Sequence, residues 1–305
     1  MSLYQKHRPT NLKQIRGNKE TVAALSDMLK KVDNCPHAFL LTGATGCGKT
    51  TIARIIANEL GAKGGDLKEV DSADFRGIET IRNIRKNSGY APMEGKVRVW
   101  IMDEVHKLTN DAQNAILKIL EDTPKHVFFI LCTTDPQGLL PTIKNRCSQF
   151  IVSKLEKTEM LTLLNSIVEV EKFKVKKKAL DVICDSAQGH PRAAIMLLDQ
   201  ISRLSKDEQV KAAQRFEEGQ VQVIELCRLL INGGNWKGIS AVLKQLKEQK
   251  EDAENIRRVV LGYCTSVLLK SDMAKAGLVM DFFIDPFYNS GFPGLVHACY
   301  SIYKS

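Results

Sequence analysis

Between the apolar run Ala38-Phe39-Leu40-Leu41 and a helically spaced stretch from Thr51 to Leu60 stands the loop Gly43-Ala44-Thr45-Gly46-Cys47-Gly48-Lys49-Thr50. A glycine-rich loop placed between strand and helix lets successive backbone N–H groups converge on a phosphate, and the helix dipole adds to the attraction. Gly43, Ala44, Thr45, Gly46, Cys47, Gly48, Lys49, Thr50 and Thr51 therefore form a candidate phosphate cradle. Lys49 is suited to neutralising β- and γ-phosphates, and the Thr50 hydroxyl to holding Mg²⁺. The alternative, a glycine-rich turn with an incidental lysine, does not require a strand before it and a helix after it.

Three more groups belong with this loop. Val97-Arg98-Val99-Trp100-Ile101-Met102-Asp103-Glu104 is an apolar strand ending in two carboxylates. There Asp103 can bind Mg²⁺ through its water shell, and Glu104 can polarise an attacking water. Val127-Phe128-Phe129-Ile130-Leu131-Cys132-Thr133-Thr134-Asp135 is a second such strand with small hydroxyls at its end. In a parallel sheet it would lie beside the Asp103 strand, so Thr134, or alternatively Thr133, can hydrogen-bond the γ-phosphate or the water. Arg146 and Arg192 are candidate γ-phosphate ligands, one reaching a neighbouring subunit and the other reporting the nucleotide to a following helical domain. Spacing alone is equally compatible with surface arginines.

The elements that must position these groups alternate from residue 36 to about 152, short apolar strands with amphipathic helices, as in an α/β domain with a parallel sheet. Strands are expected at Ala38 to Thr42, Lys68 to Asp71, Val97 to Asp103, Val127 to Cys132 and Ser148 to Ile151. Beyond Lys157 apolar residues recur at helical spacing: Glu159 to Glu169, Lys177 to Ala187, Arg192 to Leu204, Val221 to Asn232, Gly238 to Glu248 and Asn255 to Leu269. Gly189-His190-Pro191 and Gly233-Gly234 break that pattern, and the polar segment Ser205 to Gly219 reads as a junction. The expectation is a nucleotide-binding α/β domain over 1–153, a small helical domain over 154–206 and a helical domain over 207–305.

Composition narrows the class. The 305 residues carry a formal charge of +9, compatible with a polyanionic partner, with 44% hydrophobic and 26% charged residues as in ordinary globular proteins. No segment approaches the ~18 uninterrupted apolar residues of a membrane span. MSLYQKHRPT lacks the apolar core of a secretory signal, so a cytoplasmic protein is expected. The eight cysteines are scattered without a CxxC pair, which reads as reduced, mostly buried thiols.

Tyr90-Ala91-Pro92, Asp103-Glu104-Val105-His106-Lys107-Leu108, Asn114-Ala115-Ile116-Leu117-Lys118-Ile119-Leu120-Glu121, Thr133-Thr134-Asp135-Pro136-Gln137 and Asn145-Arg146-Cys147 together resemble the AAA+ module of clamp-loader ATPases. The likeness is to the bacterial DNA polymerase III gamma/tau subunits and, more distantly, to replication factor C small subunits. It covers roughly residues 36 to 152, continues faintly in Tyr4-Gln5-Lys6-His7-Arg8-Pro9 and around Gly189 to Ala194, and beyond about residue 205 reduces to the helical character of a collar. The resemblance implies an ATP site with Mg²⁺, served by Lys49, Thr50, Asp103, Glu104, Thr134 and Arg192. It also places Tyr4, Arg8 and Pro9 near the adenine, and makes Arg146 an arginine finger acting on the adjacent subunit's ATP. Asn145 stands where the family has serine. Gly61-Ala62-Lys63-Gly64-Gly65-Asp66 replaces the bacterial zinc module, so zinc is not expected, and the chain stops at Ser305 without a long extension. A phage or otherwise divergent loader fits these departures.

As implications of the resemblance, the partners are a sliding clamp, companion subunits in a ring-like, pentameric assembly, and primer-template DNA held through its phosphates. Arg76 and Arg82, at the start of an inward-facing helix, and Lys118 are the DNA candidates, with a solvated basic side chain as the alternative for each. The run Lys172 to Lys178 has the look of a DNA patch, but the resemblance places the helical lid away from the DNA and lysine runs commonly mark a solvated junction. Tyr90, Pro92 and Met93 read as a semi-apolar loop for the clamp or a turn packed on its own domain. The expected function is an ATPase subunit that opens or holds the clamp on binding ATP and releases it on hydrolysis triggered by primed DNA. The alternatives are another AAA+ DNA motor, a helicase-loading ATPase, or a structural subunit of the same assembly.

Overall fold

A computed structural model describes residues 2–30, 35–205, 208–209, 222–248, 251–269, 271–287 and 290–305. The chain forms two compact units, Met1–Lys206 and Asp207–Ser305. Apart from Ser205 and residues 208–209, the junction expected at Ser205 to Gly219 lies outside the described residues, as does Val221.

In the first unit, β1 (Ala38–Thr42), β2 (Leu67–Asp71), β3 (Arg98–Asp103), β4 (Val127–Thr133) and β5 (Ser148–Ile151) make one parallel sheet in the order β2-β3-β4-β1-β5. Parallel neighbours need crossovers, supplied by α3 (Lys49–Leu60), α4 (Ile78–Ser88), α5 (Asn110–Glu121) and α6 (Pro141–Asn145). Among the described residues, α1 (Leu3–Lys6) and α2 (Lys19–Leu29) precede β1.

Side chains alternate across the sheet with the period of two that strands impose. Val99 and Ile101 of β3, with Phe39 and Leu41 of β1, pack against Leu25 of α2 and Ile52 and Ile56 of α3. Trp100 and Met102, with Leu40, face Ile81 and Ile84 of α4 and Ile116 of α5. Covered on both faces, β4 is buried at every residue, whereas edge strand β2 is mostly open. The register pairs Thr42 with Thr133 and Asp71 with Asp103, which sets the strand ends along one rim.

Three helices complete this unit, α7 (Lys157–Glu171), α8 (Lys177–Ala187) and α9 (Pro191–Ser202). Met160, Leu164 and Ile167 of α7 and Ala194, Leu198 and Ile201 of α9 are buried at helical spacing. The N-terminal segment is fastened to these helices: Leu3 N–H donates to Asp199, and Lys6 and His7 meet Glu171.

The second unit holds α10 (222–231), α11 (Trp236–Glu248), α12 (Ala253–Leu268), α13 (Ala274–Phe283) and α14 (Gly291–Lys304) around Leu226, Leu243, Ile256, Val260, Phe283 and Leu295. Asp252 caps α12 by accepting the Asn255 N–H at 2.9 Å. α13 and α14 lie beyond the helices expected from sequence periodicity, which end at Leu269. AKAGLVMDFF is apolar on most sides and shows no amphipathic stripe, whereas GFPGLVHACYSIYK buries Leu295, Ala298, Cys299 and Ile302 at helical spacing behind an N-terminal turn that carries two glycines and a proline, residues that argue against a helix. The eight cysteines are all free, and burial pushes the Cys299 thiol up to about 12.

Candidate nucleotide site

A cleft of about 220 Å³ opens at the carboxyl ends of the strands, where open α/β sheets place ligands. The P-loop from Thr45 to Thr51, Asp103 at the end of β3 and Glu104 after it, the N-terminal Tyr4, Arg8 and Pro9, and Arg192 of α9 all line it.

The loop takes its shape from glycine at two places. Gly48 caps α3 at φ +106°, a conformation that side chains resist. A Cβ at Gly43 would lie 2.1 Å from the Val152 carbonyl oxygen, so the loop passes the chain leaving β5 at backbone distance. Lys49 is 6% exposed, and its Nζ donates to the Gly43 and Ala44 carbonyls at 2.9 and 3.1 Å. Two of its three donors are thus used and among the described residues no carboxylate pairs with it; a buried ammonium with a spare donor at the start of a helix fits an anion such as a phosphate chain.

Beside it, Thr50 Oγ1 donates to Asp103 Oδ2 at 2.6 Å, so a hydroxyl and a carboxylate oxygen suited to Mg²⁺ already meet. Among the described residues, no group of three His, Cys, Asp or Glu gathers as a metal cage. Glu104 has φ +49°, which is uncommon for a residue with a side chain. Its Oε2 accepts from Thr134 Oγ1 at 2.9 Å and lies 3.3 Å from His106 Nδ1. Thr133 is fully buried and occupied elsewhere, donating to the Asp135 carbonyl and accepting the Asp135 N–H at 2.9 and 3.0 Å. Of the two threonines, Thr134 is the one bonded to Glu104.

Arg192 lies with its guanidinium carbon 4.9 Å from the centre of the Tyr4 ring. Arg146 is absent from the cleft lining. It follows α6 on the surface, pairs with Glu121 and donates to the Thr142 carbonyl at 3.3 Å. Arg76 donates to the Ala73 carbonyl at 2.7 Å, Arg82 pairs with Glu79 one turn away, and Lys118 is exposed on α5; none lines the cleft.

Sequence reasoning missed part of the lining, including Gln14, Ile15 and Asn18 before α2, Leu155 between β5 and α7, Leu163 of α7, and Pro191 and Ile195 of α9. One signal was available. Gly17-Asn18 is a left-handed turn, and the Asn18 amide exchanges hydrogen bonds with the Ser153 backbone at 2.7 and 3.2 Å. Asp66, within the segment that replaces the zinc module, was also unread. It is fully buried, accepts the Met93, Glu94 and Gly95 N–H groups at 2.7–2.9 Å, and pairs with Arg98 at 3.3 Å. These bonds pin the loop that exposes Tyr90 and Met93.

Comparison with known proteins agrees with this architecture. A family model described as DNA polymerase III, delta subunit matches residues 66–156, and one described as Sigma-54 interaction domain matches residues 15–79. The DNA polymerase III subunit tau of Bacillus subtilis is 30% identical over 291 residues, 88% of this chain and 52% of its own length. The subunit gamma of Buchnera aphidicola is 35% identical over 226 residues, 67% of this chain and 62% of its own. For the Escherichia coli subunit tau the identity is 35% over 219 residues, 65% of this chain and 34% of its own. The chain thus spans between 34% and 62% of the length of these relatives. Among solved structures, the RuvB Holliday junction branch migration motor of Thermotoga maritima superposes with a TM-score of 0.60 at 20% identity, over 79% of this chain and 85% of that one. At that identity the likeness concerns the fold. No described helix is long and apolar enough to cross a membrane.

Proposed function

The chain is an AAA+ ATPase related to the gamma/tau subunit of DNA polymerase III, and from that premise we propose that it is an ATP-hydrolysing subunit of a sliding-clamp loader. The observation that carries the reading is the convergence of Lys49, the Thr50–Asp103 pair and Glu104 on one cleft, with Thr134 bonded to Glu104 from behind the lining.

In this reading the P-loop amides and Lys49 bind the triphosphate, while Tyr4, Arg8 and Pro9 flank the base. Thr50 and Asp103 would hold Mg²⁺, which supplies charge neutralisation at the phosphates. Glu104 orients the attacking water and takes its proton, and Thr134 fixes the direction of that carboxylate. Arg192 carries the state of the site to α9. Arg146, lying outside its own chain's cleft, serves a neighbouring subunit's site, which makes a ring assembly part of the active site. Arg76, Arg82 and Lys118 contact DNA phosphates, so affinity is independent of sequence.

The experiment is steady-state hydrolysis by the assembled complex. Turnover that rises with primer-template DNA plus clamp supports this reading. Turnover unmoved by clamp but raised by junction DNA or a helicase would favour another AAA+ motor. A purely structural subunit would not require Lys49, Asp103 and Glu104 together, and absence of hydrolysis in every assembly would establish that role instead.

A further inference from the structure

The turn that brings the helices after β5 to the cleft is Gly189-His190-Pro191-Arg192, and its histidine reaches past its own helix to the P-loop. His190 Nδ1 lies 2.8 Å from the Thr45 carbonyl oxygen. A carbonyl can only accept, so Nδ1 carries the proton and the ring is held in that tautomer. Burial, together with Lys154, pushes the imidazole below its ordinary value, which keeps the ring neutral near pH 7. Cys47 Sγ lies 3.8 Å from the same nitrogen, and a Cβ placed on Gly46 would sit 3.5 Å from Arg192 Cβ. On its other side the turn is fixed by the Leu155 N–H donating to the Gly189 carbonyl at 2.9 Å.

The Thr45 carbonyl and the Gly46 N–H belong to one trans peptide, in which C=O and N–H point in opposite directions. A hydrogen bond that fixes the carbonyl therefore fixes that N–H as well. His190 precedes the first turn of α9, whose Pro191 and Arg192 both line the cleft, so the same bond registers Arg192 against the loop.

We propose that His190 is a positioning residue for nucleotide binding: its bond to Thr45 sets the Thr45–Gly46 peptide of the phosphate cradle and locks the start of α9 in register with it. This inference rests on the nucleotide-site reading above. It makes the affinity of the P-loop depend on a side chain from outside the α/β sheet.

The test is an equilibrium titration of the full chain with a fluorescent ADP analogue, comparing wild type, His190→Ala, His190→Asn, His190→Gln and Lys49→Ala. An asparagine amide can place a donor where Nδ1 stands, whereas glutamine extends it by one bond. Losing one such hydrogen bond should weaken binding about fivefold in His190→Ala and His190→Gln, with His190→Asn staying within about twofold of wild type. Wild-type affinity in His190→Ala, or equal weakening in Ala and Asn variants of unchanged melting temperature, overturns the inference. In either case tight wild-type binding that Lys49→Ala abolishes leaves the nucleotide site standing. A wild-type chain that binds no nucleotide overturns both.

Discussion

Thr134 Oγ1 donates a 2.9 Å hydrogen bond to Glu104 Oε2, joining residues thirty positions apart at the ends of adjacent strands. The bond aims a carboxylate whose backbone, at φ +49°, already departs from the usual range.

Replacing Glu104 by Gln keeps the shape and the P-loop but removes the proton acceptor. Nucleotide affinity should stay within a few-fold of wild type, while turnover in the assembled complex falls by about 10²–10⁴-fold. Thr134→Val removes only the orienting bond and should lower turnover roughly tenfold, less than the general-base loss. Single-turnover hydrolysis with both variants checks the order, and equal turnover in Glu104→Gln and wild type would remove Glu104 from the reaction.

Arg146 pairs with Glu121 on the surface rather than in its own chain's cleft. Arg146→Ala should therefore leave nucleotide binding by the isolated chain unchanged and lower turnover of the assembled ring by about 10³-fold or more, as arginine fingers do. Mixing Arg146→Ala subunits with Lys49→Ala subunits discriminates further. Turnover then survives only at interfaces that receive an intact arginine and an intact lysine from different chains.

Asp66 holds the Met93 to Gly95 loop through three N–H groups and one guanidinium. Burial alone would raise its carboxyl, but the backbone donors and Arg98 outweigh it and hold it well below the usual carboxylate range. A depressed folded-state value means the contribution is fully present above the unfolded value near pH 3.9 and is lost as pH falls through the folded value. Asp66→Asn should cost about 3–5 kcal/mol at pH 7, because it leaves Arg98 buried without its anion. Urea titrations should show the gap between variant and wild type narrowing only below about pH 4.

If Arg76 and Arg82 neutralise DNA phosphates, each alanine variant of the assembled complex should weaken binding to all sequences alike. The slope of log affinity against log salt should fall by about one per arginine. An unchanged slope would return them to the roles they have within this chain, on the Ala73 carbonyl and on Glu79.

What could be read directly were features written in local spacing. The five strands and their parallel class followed from apolar runs alternating with amphipathic helices, and the observed strands differ from the expected ones only by a residue at an edge. The P-loop was legible because its glycines, lysine and threonine are consecutive, and Asp103 and Glu104 because they close a buried strand. The helical stretches after Lys157 were legible where one face is polar; α13 lacks that contrast, and in α14 the glycines and proline of the first turn mask a stripe that Leu295, Ala298, Cys299 and Ile302 do form.

The tertiary structure decided what depends on distance through space. The structure sets Thr134 rather than Thr133 on Glu104, since Thr133 ends β4 and is buried on Asp135 while the next side chain faces the other way, toward the end of the neighbouring β3. It alone brings Ile15 and Leu163 into the cleft of the P-loop, and His190 onto the Thr45 carbonyl. A sequence specifies local chemistry through residue type and period. Which groups meet across more than a hundred residues is set by how the sheet and helices bury their apolar faces, and that is a property of the packed whole.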